Sequence, residues 1–199
     1  MHKQSFDLIY KEVFTRLDGL DKQLTYHCKE HTADVLQQCK RIAAMENVTD
    51  DHQLYLLTTA ALYHDSGFLE AYADHETHSA NIFLRDAGRF GFSEGDRRII
   101  TDLINATRVP QTPHTLLQQI ICDADLDYLG RTDFFEIGET LRKEFLHYNI
   151  VADDNAWQDL QLQFLKTHHY HTQSSQQLRE PEKQKHLVIL QQMKEKLAG

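Results

Sequence analysis

Apolar residues recur at spacings of three and four through most of the chain, in 6–17, 35–45, 54–62, 99–104, 134–145 and 187–197. The sustained alternation that a half-buried strand requires is absent. Each segment can therefore bury only a helical stripe against its neighbours, and the pattern predicts an all-α bundle. Helix punctuation agrees. "TDD" at 49–51 supplies a cap, "SEGD" at 93–96 resembles a capping box with Asp at its fourth position, and "TP" at 112–113 places a proline at a helix start. The segment 179–197 reads as a turn followed by an amphipathic helix of mixed charge, which is expected to pack against the body of the protein or against a second copy in a homodimer rather than on a membrane. With 199 residues, 8 Gly, 3 Pro and no repeat or low-complexity tract, the expectation is one compact domain over 1–199.

Charge and cysteine content narrow the function classes. The 21 basic and 30 acidic residues leave a formal charge of -9, which disfavours a nucleic-acid backbone as partner. Cys28, Cys39 and Cys122 are odd in number and lack CxxC spacing, pointing to a reducing compartment rather than a disulfide framework. The opening "MHKQSFDLIYKEV" is amphipathic without the core of a signal peptide, and no run approaches the roughly 18 apolar residues of a membrane span. The expectation is a soluble, cytoplasmic protein.

Against this background "YLLTTAALYHDSGFL" at 55–69 stands out, because a His and an Asp interrupt an apolar helix at its end. The stripe through Leu54, Leu57 and Ala61 carries His64 and Asp65 to or near the core side. A buried carboxylate needs a cation, a metal or several hydrogen-bond donors, whereas a single His-Asp pair is also an ordinary helix-end motif. In "YHCKEHTADV" at 26–35, His31 begins a face continued by Val35, Cys39 and Ile42, and His27 stands four residues earlier. In "ICDADLDYLG" at 121–130, Asp123, Asp125 and Asp127 alternate within apolar sequence, a grouping that invites a metal although any one of them suits a solvated helix face.

Together these segments resemble the HD-domain superfamily of metal-dependent phosphohydrolases, whose pattern is a His, a later adjacent His-Asp and a more distant Asp. The matching residues are His31, His64, Asp65 and Asp125, the last preferred to Asp123 because the family's final ligand usually follows a small residue, here Ala124. The resemblance covers about residues 25–150. It implies an HD-type helical bundle holding one divalent ion (Mn, Fe, Co, Zn or Mg) and hydrolysing a phosphate ester of a nucleotide or related small metabolite. Two imidazoles and two carboxylates from separated helices suit such an ion and leave positions for water and a phosphate oxygen.

The Tyr26-His27 pair is similar to the arrangement in cyclic-nucleotide phosphodiesterases, where the earlier His protonates the leaving oxygen, although Cys28 stands where that subfamily has Asn. His27 is thus the candidate general acid. "HETHSANIF" at 75–83 resembles the helix that in HD-GYP phosphodiesterases supplies a His to a second metal, with His75 at the matching position. The later His pair of those relatives is replaced in "INATRVP" by Asn105 and Thr107, so one ion is expected, with His75 or Glu76 orienting water or substrate. Arg108 in the same segment is a candidate phosphate ligand or a surface ion pair. "THHYHT" at 167–172, with His168, His169 and His171, is read as an exposed helix end in preference to an adventitious metal site. Two other functions compete: an HD-type di-iron oxygenase, disfavoured by the missing His pair, and a non-catalytic metal- or nucleotide-binding module, disfavoured by the complete ligand set.

Overall fold

The computed structural model describes residues 2–198; Met1 and Gly199, within the span read as one domain, lie outside the described residues. Among the described residues the chain forms nine α-helices and two short 3₁₀ helices and no strand. They are α1 (His2–Leu17), α2 (Lys29–Met45), α3 (Asp51–Tyr63), a 3₁₀ turn (Ser66–Leu69), α4 (His75–Ala87), α5 (Glu94–Ala106), α6 (Leu116–Asp125), a second 3₁₀ turn (Asp127–Gly130), α7 (Phe134–His147), α8 (Asp154–Thr167) and α9 (Gln173–Ala198). No helix among the described residues is long and apolar enough to cross a membrane.

The centre of the bundle is α3. Every residue from Tyr55 to Tyr63 is buried, and α1, α2, α4, α5 and α6 pack around it. A helix apolar on all sides has no solvent face, which is why it becomes the axis of the fold. Leu57, Ala61 and Leu62 meet Val35, Ile42, Ile100, Ile104 and Ile121 in the main core. A smaller apolar cluster, including Leu129, Phe134, Leu165 and Tyr170, lies with the C-terminal helices.

The caps at α3 and α5 form as expected. The Asp50 side chain accepts from the amides of His52 and Gln53, and Ser93 and Asp96 make a reciprocal capping box. The start of α6 differs, beginning at Leu116 rather than at Pro113. Thr115 and Gln118 form a second capping box there, and the Gln118 side chain also accepts from the amide of His114 at 2.8 Å, so reciprocal hydrogen bonds outweigh the proline signal.

A second correction concerns the segment 179–197. No turn precedes its helix: α9 is continuous from Gln173 and carries Pro181 inside it. Tertiary contacts hold both sides of the proline. Arg179 grips buried Asp127 through Nε at 2.8 Å and Nη2 at 2.9 Å, and the buried Lys183 ammonium bonds the His168 carbonyl and Glu180. A Cβ at Gly130 would lie 2.3 Å from the Arg179 carbonyl oxygen, so the absence of a side chain lets α9 sit on the second 3₁₀ turn. Such anchoring overrides the cost of an interior proline.

The histidine-rich strap between α8 and α9 is likewise more buried than expected. His169 is exposed, but Tyr170 is fully buried and donates to the Leu126 carbonyl at 3.3 Å.

Asp127 also accepts from Arg41 Nη2 at 2.6 Å, so one carboxylate ties α2, the 3₁₀ turn and α9 together. Asp127→Ala leaves Arg41 and Arg179 facing a vacated anion site. The expected loss is roughly 3 kcal/mol of unfolding free energy, measured by urea denaturation. A loss within experimental scatter would contradict this account of the junction.

Candidate metal centre

His31 occupies the first turn of α2, whose N-cap position, Cys28, makes no side-chain cap bond. His27 is not on a backward extension of that helix but in the turn ahead of it, with ring centroids of His27 and His31 6.0 Å apart. His64 terminates α3, and Asp65 leads directly into the 3₁₀ turn. Asp125 is the last residue of α6. The ends of three helices therefore deliver the four groups to one buried spot.

Within that spot the polar atoms face one another. His64 Nδ1 lies 2.9 Å from the Ala61 carbonyl oxygen and donates its proton there, which turns Nε2 inward. His31 Nε2 is 3.4 Å from His64 Nε2. Asp65 Oδ2 is 3.3 Å from the first nitrogen and 3.2 Å from the second, while Asp125 Oδ1 is 3.1 and 3.6 Å from them. Ligand atoms of His31, His64 and Asp65 all lie within 4.8 Å of one another, and Asp125 joins this group through its approaches to the two imidazoles.

Two observations test whether these residues suit a cation. Asp65 Oδ2 is buried yet makes no aligned hydrogen bond. The imidazoles also require positive charge between the carboxylates. Burial alone would depress His31, but Asp125 and Asp65 raise it to about 9, and His64 is raised well above its ordinary value by the same carboxylates against its own burial. A divalent ion can supply that positive charge, since His31, His64 and Asp65 offer three mutually close donors and Asp125 Oδ1 approaches both imidazoles. The donor set fits a metal.

The three alternating aspartates separate into three roles. Asp125 turns to the imidazoles. Asp123 accepts from the amides of His171 and Thr172, each at 2.8 Å, and from the Thr172 hydroxyl at 2.6 Å, so it ties down the strap ahead of α9. Asp127 holds the arginines.

Beside the cluster, His27 Nδ1 pairs with Glu144 on α7, and the other oxygen of Glu144 accepts from the amides of Tyr26 at 2.8 Å and His27 at 3.1 Å. Tyr72 OH donates to the same carboxylate at 3.1 Å. This fixes the ring with its second nitrogen on the side away from Glu144. Phe68 packs against both His27 and His75, with centroid distances of 4.4 and 4.0 Å.

His75 begins α4 and places Nε2 3.5 Å from Asp65 Oδ1, the oxygen turned away from the imidazole pair, and 3.6 Å from Glu76. A Cβ at Gly67 would lie 1.9 Å from the His75 carbonyl oxygen, and the Gly67 amide donates to Ser79 Oγ at 2.7 Å. Backbone thus rests on backbone where the His-Asp turn meets α4. Arg108 lies farther out and half exposed, bonded to Thr77 at 2.8 Å and paired with Asp74 and Glu76 at 3.4 Å each.

Two cavities reach the cluster. One of about 390 Å³ has His27, Asp65, His75 and Asp125 at one end and apolar side chains of α7 and α8 beyond. The other, about 400 Å³, is lined by His31, Asp125, Asp34 and Arg131 among others. Tyr26 and Tyr128 border both.

Glu144, Tyr72 and Arg131 were not singled out by sequence. Glu144 had a usable signal, since it follows Phe134, Gly138 and Leu141 on the apolar stripe of α7, the logic that marked His31.

Glu144 also sets an acid limit. Burial would raise its pKa, but His27 and the two amides bring it below the ordinary value of 4.5. A carboxyl lowered on folding stabilises the protein above its unfolded value, and that contribution disappears as pH falls through the folded one. Glu144→Gln should therefore be less stable than wild type at neutral pH, with the gap in denaturation midpoint closing below about pH 4.5. A gap that is constant with pH would remove the charge from this account.

No family model, curated protein or solved structure matches the chain.

Proposed function

We propose that this protein is an HD-type phosphohydrolase that cleaves a phosphate ester of a small metabolite with one divalent ion held by His31, His64, Asp65 and Asp125. The supporting observation is the convergence of two imidazole Nε2 atoms and two carboxylates at one buried point beside an open cavity. Two imidazoles favour a transition ion over Mg, which prefers oxygen ligands and water. When bound, the ion supplies Lewis acidity and offsets negative charge that builds on the phosphoryl oxygens.

The remaining work falls to the chain. His27, held at Nδ1 by Glu144, offers Nε2 as the proton donor to the leaving oxygen, and Glu144 fixes the orientation of the ring for that transfer. His75, resting near Asp65 Oδ1, orients water or substrate on the cavity side. Phe68 fixes the spacing of both rings by packing.

Metal analysis joined to phosphate release from a panel of monoesters, diesters and nucleotides tests the proposal. Close to one equivalent of metal per chain and metal-dependent phosphate release are expected. His75→Ala should keep that equivalent while losing activity. Two equivalents in wild type, one lost on that substitution, would overturn the single-ion reading, and iron in that centre would favour oxygenase chemistry. Metal retention without turnover of any ester would favour a binding module.

A further inference from the structure

The cavity of about 390 Å³ has two chemically different ends. At one end stand Asp65 and Asp125, the two carboxylates of the cluster, with His27 and His75. The other is walled by Leu141, Phe145, Trp157, Phe164 and Leu165, supplied by α7 and α8. Val109, Ile150 and Leu160 line it too, and they remain 55, 48 and 40 % exposed, so apolar surface continues from the interior to solvent. Exposed aliphatic side chains around an opening cost solvation unless something apolar passes or rests there.

The charges along the wall are as informative. No lysine or arginine lines this cavity among the described residues, whereas Asp65, Glu76 and Asp125 do. Within this cavity a chain of phosphates would therefore meet one cationic position, the cluster itself, and repulsion elsewhere. Arg131 of the other cavity is committed to Asp34 and Asp133. The nearby guanidinium of Arg108 is committed to Asp74, Thr77 and Glu76. Sugar hydroxyls and base edges would also lose water without replacement along the α7 and α8 walls, where Gln161 is the amide on offer.

Resting on the hydrolase reading above, we propose that the substrate is a phosphate monoester of a bulky hydrophobic alcohol, alkyl or aryl, rather than a nucleotide. The phosphoryl group sits at the cluster and the hydrocarbon fills the chamber between α7 and α8. The leaving oxygen then falls at the boundary between the two ends, where His27 stands. Hydrolysis breaks the bond from phosphorus to that oxygen, adds water's oxygen to phosphorus, and returns a proton to the alcohol.

Trp157 is the sole tryptophan and belongs to the chamber wall, so its emission reports occupancy without turnover. Metal-loaded protein would be titrated with methyl-, butyl- and octylphosphonate below their micellar concentrations, and with adenosine monophosphate. Phosphonates have no ester bond to cleave. Affinity is expected to rise about three- to fourfold per added methylene until the chamber is filled, with octylphosphonate tighter than the nucleotide. The double variant Ile150→Asn, Leu160→Asn, at partly exposed positions whose exchange opens no core, should shrink the octyl-to-methyl affinity ratio about tenfold. Affinity that is flat along the series, tighter nucleotide binding, or an unchanged ratio in the double variant would each overturn the assignment. Graded binding without phosphate release from octyl phosphate would leave the chamber standing and refute the hydrolase. Phosphate release with flat affinities would do the reverse.

Discussion

Asp65→Ala is expected to leave purified protein with essentially no bound metal and no metal-dependent hydrolysis. Oδ2 of this buried carboxylate lies within 3.3 Å of both inward-facing imidazole nitrogens, and Oδ1 lies 3.5 Å from His75. Its two oxygens thus link the imidazole pair to the first residue of α4. Its removal leaves two nitrogens and Asp125, one negative charge to balance a divalent ion where there had been two. The check need not involve activity. A ligand that binds only the folded state at a hundred times its dissociation constant stabilises by about 2.7 kcal/mol, so added metal should raise the wild-type melting temperature and leave that of the variant unmoved. Metal content undiminished in Asp65→Ala would remove Asp65 from the site and take the convergent cluster with it as the basis of function.

His27→Ala should separate proton transfer from metal binding. With Nδ1 committed to Glu144, the ring stands beside the imidazole pair but outside it, so the variant should keep its metal. Turnover should fall by roughly 10²–10⁴-fold, the usual contribution of a positioned general acid. The loss should be smaller for esters such as aryl phosphates with acidic alcohols, which depart without a proton. Equal losses for good and poor leaving groups would exclude the role, and loss of the metal would make His27 a support of the cluster instead. Glu144→Gln should reproduce a milder form of the same leaving-group dependence, because it loosens the ring without removing it.

The helical architecture was legible because burial imposes a period and caps leave local signatures. Asp50, Ser93 and Asp96 act within three residues of their partners, so their roles can be read from a few letters. The His-Asp pair was legible for a different reason, as costly groups on a stripe that is otherwise apolar. Spacing alone could not sort Asp123, Asp125 and Asp127, because their roles are decided by what arrives from elsewhere: a strap at Asp123, two imidazoles at Asp125 and arginines from α2 and α9 at Asp127. The continuity of α9 through Pro181 is set by the same distant contacts. Glu144 reaches the Tyr26 amide across 118 positions, a pairing that no local pattern encodes. Cavity shape is further still from sequence, since α7 and α8 define it jointly.

The contact at Gly67 gives the centre a mechanical reference. Where two helices meet through side chains, their spacing can drift by a methyl group at a time, and a site built across them drifts as well. Here the His-Asp turn meets the first residue of α4 with no side chain between, at a separation that would put an added Cβ 1.9 Å from a carbonyl oxygen. The offset between Asp65 and His75 is consequently a stop rather than an adjustable gap. Substitutions elsewhere on α4 can alter how firmly the helix is pressed against that stop, yet they cannot bring it closer, so variation in the surrounding core is filtered out before it reaches Asp65 and His75.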